Sequence, residues 1–377
     1  MQKVWTAALV CVLAGAAVAG PEEKVEQERL MATLRSLPTA RAALGDAASR
    51  EGLKKTEEQL IAALKELGYT PKVHEFKWAL PARRFNREAG EEPAKPEEHT
   101  YRNISVEIVG KELPGEVLIV AAHFDAVPGT PGADDNGSGT AGLLELARVL
   151  KDEPMKRTVR LVFFNLEEVG LVGASQYVKE LRERGVIGKK ESGEQGAESG
   201  KAESGERKAE EGPAAQEGKG AAADAKPKEK IIGMISLESI GYFSDEPGSQ
   251  KSPIPPIKGV FEPPTVGDGI ALVGFQRDAA FVKALEKGMT GAAKELKVNA
   301  YAFPMALPDL LRSDHAPFYG AGVPAVMLTD TANFRNPNYH KPTDTVETID
   351  PRRFTLVVKG VAGAVVEVAG ECGQGNP

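Results

Sequence analysis

Apolar and polar positions along this chain fall into two rhythms. Residues 22–37 and 56–67 carry apolar side chains at helical spacing, with Leu60, Ala63, Leu64 and Leu67 on one face. Residues 72–78 alternate apolar with polar, as a half-buried strand does, and 101–109 also reads as a strand. A turn at Pro114-Gly115 separates it from an apolar run at 116–122, and similar runs occur at 159–164, 231–237, 270–273 and 323–328. Runs this short predict strands buried on both faces. Helical spacing returns at 140–150, 172–181, 279–296 and 353–368. Strands and helices alternate, with hairpin-like pairing near the start. The predicted class is α/β: a mixed, mostly parallel central sheet with helices on both faces.

Some stretches follow neither rhythm. Residues 83–98 are charged and contain Pro and Gly, and 244–264 is a Pro/Gly-rich loop. Residues 188–230 repeat Glu-Ser-Gly at 191–193, 198–200 and 203–205 and are almost all Lys, Glu, Gly and Ala. Such a segment cannot bury enough apolar surface to offset its chain entropy. It reads as a disordered insertion, because an apolar strand resumes at Ile231. One domain then comprises 20–187 and 231–370, and 371–377 is a tail.

The amino terminus adds a targeting expectation. Met1-Gln2-Lys3 gives a positive start, 4–15 is apolar, and Ala17-Val18-Ala19 is an A-x-A cleavage site. Residues 1–19 therefore read as a signal peptide, and the mature protein is expected in the periplasm or outside the cell, without stable membrane association. Only Cys372 remains after cleavage, so the fold needs a large core rather than disulfides. The ordinary apolar content allows that core. The formal net charge of −7 argues against a nucleic-acid surface.

Candidate chemistry collects where predicted strands end. His123 closes the 117–122 strand, and Asp125 follows two residues on, placed to orient a ligating imidazole. Asp134-Asp135-Asn136-Gly137-Ser138-Gly139 is a turn opening a helix. Alone it is ordinary cap chemistry, but after His123-x-Asp125 one of its aspartates reads as a metal ligand. Glu167-Glu168 follows the 161–164 strand. Neighbouring side chains on extended backbone point apart, so one carboxylate can hold a metal while the other faces bound water as a general base. Glu238 ends the 234–237 strand. His340 lies in a breaker-rich loop, with Asp344 near enough to orient it. Ser313-Asp314-His315 is a rival ligand string that reads better as a helix cap and packing. Two imidazoles and several carboxylates without Cys suit zinc or a similar divalent ion.

In this order the motifs resemble the secreted dizinc aminopeptidases, metallopeptidase family twenty-eight, bacterial leucyl-aminopeptidase type. The similarity runs from about Asn103 to the last helix, outside the insertion. It implies a zinc-exopeptidase-like (phosphorylase/hydrolase-like) fold and two zinc ions, other divalent metals being possible. His123 and Glu238 would hold one ion and Glu168 and His340 the other, with Asp135 bridging them. It further implies Glu167 as general base acting with a zinc-bridged hydroxide, and Tyr339 near the tetrahedral intermediate. A cis peptide is expected at Asp135-Asn136. The implied reaction removes an N-terminal residue from a peptide with a free amino terminus. Family members often have Asp where this chain has Glu238. Two other readings use the same fold: a single-zinc glutaminyl cyclase and a binding protein without catalysis. The loops 244–264 and 303–312 are expected to build the substrate pocket.

Overall fold

The structure is a computed structural model that describes residues 20–80, 98–188, 228–256, 261–305 and 307–370. The expected signal peptide, the tail, most of the 83–98 loop and residues 189–227 of the insertion lie outside the described residues. In chain order the elements are α1 (Gln27–Ser36), α2 (Ala47–Glu66), β1 (Lys72–Ala79), β2 (Glu98–Ile108), β3 (Leu113–His123), α3 (Gly139–Leu150), β4 (Arg157–Phe164) and α4 (Val172–Glu183). They continue with β5 (Lys230–Glu238), β6 (Gly269–Phe275), α5 (Ala279–Ala292), β7 (Lys297–Phe303), α6 (His315–Gly320), β8 (Ala325–Thr329) and α7 (Pro351–Ala369).

The strands form one sheet in the order β1-β2-β4-β3-β5-β8-β6-β7. Pairs β4–β3, β3–β5, β5–β8 and β6–β7 are parallel; β1–β2, β2–β4 and β8–β6 are antiparallel. The mixed, mostly parallel α/β class is therefore observed. Successive β3 side chains point to opposite faces. Leu118, Val120 and Ala122 pack into one core with Leu143 of α3 and Val358 of α7. Val117, Ile119 and Ala121 pack into a second core with Val178 and Leu181 of α4 and Phe318 of α6. Helices thus cover both faces, which is why the central strands read as unbroken apolar runs. Burying one such side chain contributes roughly 1.5–3 kcal/mol.

Several boundaries differ from expectation for identifiable reasons. The 22–37 helix is split: a 3-10 turn at Pro21–Lys24 gives way to extended backbone at Val25 and Glu26 before α1 begins. Helix α2 starts well before Thr56, because the Asp46 carboxylate caps it by accepting from Ser49 N at 2.8 Å. Its first turns are polar and show no apolar stripe. Pro114-Gly115 is not a turn but lies within β3, at a register shift between Leu113 and Val117. An irregularity of this kind tolerates a residue without an N–H. Strand β7 was not expected: α5 ends at Ala292 rather than 296, and β7 is a half-exposed edge strand with no strong apolar signal.

Helix α7 is central to the larger core, with Phe354, Val357, Val358 and Val365 fully buried. Pro351 opens it, and the Asp350 carboxylate accepts from Arg353 N at 2.9 Å. Replacing Asp350 by Ala should cost about 1 kcal/mol, read as a lower urea midpoint with an unchanged slope. Asp350→Asn should retain most of that stability.

Candidate metal centre

Parallel alignment of β4, β3, β5 and β8 puts their carboxyl ends on one edge of the sheet, the usual place for a site in an open α/β sheet. His123 is the last residue of β3 and Glu238 the last of β5. Glu167 and Glu168 follow β4, Asp135 lies in the turn before α3, and His340 lies in the loop after β8. His123 Nε2 lies 3.3 Å from Glu238 Oε2, 3.4 Å from Asp135 Oδ1 and 4.0 Å from Glu167 Oε2. His340 Nε2 lies 3.0 Å from Asp135 Oδ2 and 3.4 Å from Glu168 Oε2. Two groups result, His123–Asp135–Glu238 and Asp135–Glu168–His340, with the ligand atoms of each within 4.8 Å of one another. Asp135 belongs to both and turns one oxygen to each.

Neighbouring groups fix these side chains. His123 Nδ1 donates to the Asp125 carbonyl oxygen at 3.1 Å and lies 3.5 Å from its carboxylate. A carbonyl only accepts, so Nδ1 carries a hydrogen, which leaves Nε2 facing the site. The Asp125 carboxylate also accepts from Glu167 N (3.1 Å) and Glu168 N (3.2 Å), tying β3 to the loop after β4. Asn103 supports the same loop: its Oδ1 accepts from Asn165 N at 3.0 Å, and its Nδ2 donates to Gly173 O at 2.9 Å. The Asp135-Asn136 peptide is cis. Asn136 Nδ2 donates to Leu237 O at 2.7 Å, holding the turn against the end of β5. Ser313 Oγ donates to Glu238 Oε2 at 2.8 Å.

Two orienting expectations are corrected. Asp344 does not serve His340; its carboxylate accepts from Asp134 N (3.0 Å) and Asp135 N (3.2 Å) and so holds the bridging turn. His340 is instead stacked on Tyr339, ring centroids 3.8 Å apart. Asp314 makes no cap bond at α6. Its carboxyl is fully buried and both oxygens lack a hydrogen-bond partner among the described residues. His315 does pack, with Nε2 donating to Leu310 O at 2.8 Å. Left-handed backbone also clusters here: Leu166 (φ 60°), Ser239 (φ 49°) and His340 (φ 58°) each adjoin or form the site. Backbone strain of this sort concentrates at functional sites.

Crowded carboxylates and low solvent access set the charge states of the metal-free chain. Burial, reinforced by Glu238 and Glu168, pushes Glu167 well above the usual carboxylate range despite His123. Burial and the charge of Asp135 raise Glu168 to about 7. Burial also acts upward on Asp135, but the adjacent His123 and His340 imidazoles outweigh it and hold its carboxyl low. Burial acts downward on His340, yet Asp135 and Glu168 raise it to about 10. The His340 imidazole thus carries positive charge beside Asp135 and Glu168. His123 Nε2 and Glu168 Oε1 are nevertheless buried without a hydrogen-bond partner among the described residues. Lone pairs of this kind, aimed into a carboxylate-lined space, fit a divalent ion.

Beside Glu238 and Tyr339 opens a mainly apolar pocket lined by Ile254, Phe261, Tyr301, Phe303 and Met327. The loops expected to build it contribute, but β6, β7 and β8 supply its floor through Ala271, Val273, Tyr301 and Met327. Arg312 stands at this pocket and donates from Nη2 to Tyr339 Oη at 3.2 Å.

A parallel-centred α/β sheet with a histidine–carboxylate cluster at its carboxyl edge describes the class of metal-dependent hydrolases. Residues 103–190 and 218–365 match Peptidase family M28, and the chain belongs to that family. It is 32% identical over 270 residues to the uncharacterized protein YfbL of Escherichia coli K12, covering 69% of each chain. It is 38% identical over 126 residues to the aminopeptidase YwaD of Bacillus subtilis 168, covering 30% of this chain and 28% of that one. The fold is similar to that of BSAP, a zinc aminopeptidase from Bacillus subtilis, with TM-score 0.61, 17% identity and coverage of 93% and 97%. It is also similar to a glutaminyl cyclase from Fimbriiglobus ruber, with TM-score 0.56, 16% identity and coverage of 91% and 95%.

The Asp125 contacts generate a prediction. Asp125→Asn keeps the shape but loses the charge behind His123 and one acceptor for the Glu167 and Glu168 amides. Zinc affinity should fall about 10–100-fold in a calorimetric titration of metal-free protein. Unchanged affinity would show that Asp125 does not orient the site.

Proposed function

We propose that this peptidase is a metal-dependent aminopeptidase with a centre for two zinc ions. His123 and Glu238 would hold one, Glu168 and His340 the other, and Asp135 both. The observation that carries this reading is Asp135, whose two oxygens face different imidazoles at 3.4 and 3.0 Å. The orphaned His123 Nε2 and Glu168 Oε1 fit the same assignment. Bound zinc supplies Lewis-acid polarisation of the scissile carbonyl and acidifies water.

The remaining steps belong to the chain's own groups. Glu167 is a buried carboxylate outside both groups, 4.0 Å from His123 Nε2. It is placed to take a proton from water and to pass it to the leaving amine. Tyr339 accepts from Arg312, so its own O–H remains free to donate to the substrate oxygen as negative charge develops there. The carboxylates attract the α-ammonium of a free amino terminus. The apolar pocket beside Glu238 and Tyr339 takes the first side chain, and its aromatic walls favour large apolar residues.

The glutaminyl cyclase reading shares the fold, and the complete set of five ligand positions favours the dizinc peptidase over a single-zinc cyclase. The same completeness argues against a binding protein that has lost catalysis. Export through residues 1–19 belongs to the proposal, and among the described residues no helix is long and apolar enough to cross a membrane.

Glu167→Gln should lower kcat for aminoacyl-arylamides by about 10²–10⁴-fold while elemental analysis finds undiminished zinc. An active, zinc-loaded Glu167→Gln would remove Glu167 from the reaction. The wild-type enzyme should give a higher kcat/KM for leucyl or phenylalanyl arylamides than for glycyl or aspartyl ones. A preference for the latter would mean that the apolar pocket does not receive the first residue.

A further inference from the structure

Behind the carboxylate cluster lies a buried cation that the reaction does not use. Arg41 sits between α1 and α2 and is 2% exposed. Its Nε donates to Phe124 O at 2.9 Å. Its Nη1 donates to Pro38 O at 3.1 Å and to Pro131 O, and its Nη2 donates to Gly132 O. Its own carbonyl accepts from Ala126 N at 2.9 Å. Among the described residues no carboxylate lies within ion-pair distance of it. All four of the hydrogen bonds that it donates go to backbone carbonyls.

Apart from Pro38 O, those acceptors fall at the two ends of the segment that leads from β3 to the Asp135 turn. Phe124 lies between His123 and Asp125, and Pro131-Gly132 leads directly into the turn that carries Asp135. One planar fork therefore spans the two segments whose relative position sets the distance between His123 and Asp135. Its fixed donor geometry suits several convergent carbonyls at once, which a single ammonium cannot match. The contact is close. Gly132 has φ 61°, and a Cβ there would lie 2.5 Å from Asp135 O and 3.0 Å from Arg41 Nη2. Buried carbonyls of this kind need donors, and Arg41 supplies them without metal.

Charge adds to geometry. Asp125, Asp135, Glu167, Glu168 and Glu238 crowd their carboxyl groups onto one edge of the sheet. Arg41 lies behind them; its burial lowers its pKa from the ordinary guanidinium value, and the charges of Asp344, Asp135, Asp125 and Glu168 act the other way.

From this geometry we infer that Arg41 is a positioning residue that pre-forms the metal centre, holding the His123–Asp125 loop and the Asp135 turn at ligand spacing before a cation arrives. The inference rests on the dizinc reading above. Charge and geometry act in opposite directions on metal affinity, because a nearby cation repels zinc whereas a pre-formed site binds it. Arg41→Lys separates them: it keeps the charge and loses the fork.

The test is a calorimetric zinc titration of metal-free wild-type and Arg41→Lys protein, alongside their melting temperatures. The expected result is zinc binding weaker by about 10–100-fold in Arg41→Lys, the range for groups that orient metal ligands. A merely structural arginine would lower the melting temperature and leave the zinc affinity of the folded protein unchanged, and that outcome overturns the inference. A wild-type chain that binds no zinc overturns the dizinc reading and this inference together.

A second measurement does not depend on the variant folding. In metal-free wild-type protein the Ala126 and Gly137 amides should resist hydrogen exchange, since they bond to Arg41 O and Gly132 O. Rapid exchange that slows only when zinc is added would mean that the metal, not Arg41, holds the loops.

Discussion

Carboxylates gathered on one buried edge of a sheet repel one another unless their charge is compensated, and most of the unusual local structure here serves that compensation. Asp125 and Asp344 are each held by two backbone amides. Asp134 accepts from Gly241 N and Asn336 Nδ2, both at 2.8 Å. Asp135 is held between two imidazoles, and Arg41 lies behind them. The same bonds tie the loop after β3, the loop after β4 and the turn before α3 into one rigid rim. On the proposed reading zinc completes the compensation, and the rim exists because unpaired carboxylates would otherwise open it.

The parts of the fold legible from sequence were those under the simplest physical constraint. β3, β4, β5 and β8 are buried on both faces, so they read as apolar runs, and the reactive residues stood out where those runs stop. His123, Glu167 and Glu168 were visible for that reason. Glu238 was locally indistinct and depended on its companions. Edge strand β7 and the polar first turns of α2 carry little apolar periodicity, and their existence depends on neighbours distant in sequence. Pro114-Gly115 looked like a turn because the register shift that accommodates it is a property of two strands, not one.

The supporting residues were harder to find. Asp344 lies four residues from His340, yet it serves Asp134 and Asp135, more than 200 positions away in sequence. Arg41 lies in a segment of unremarkable composition, and its acceptors are backbone atoms, which leave no trace in side-chain patterns. Asp314 looked like a cap and proved to be a buried carboxyl without a hydrogen-bond partner among the described residues. A helix-cap composition alone does not establish where a side chain points.

Fold similarity reaches both aminopeptidases and a glutaminyl cyclase, so the chemistry must be decided at the site, and there at Asp135. The most direct measurement is the zinc stoichiometry of wild-type and Asp135→Ala protein by calorimetric titration with elemental analysis. A shared bridging carboxylate predicts two ions per wild-type chain and weakened binding of both in Asp135→Ala. One ion per wild-type chain, or a variant in which only one of two ions is affected, would contradict it.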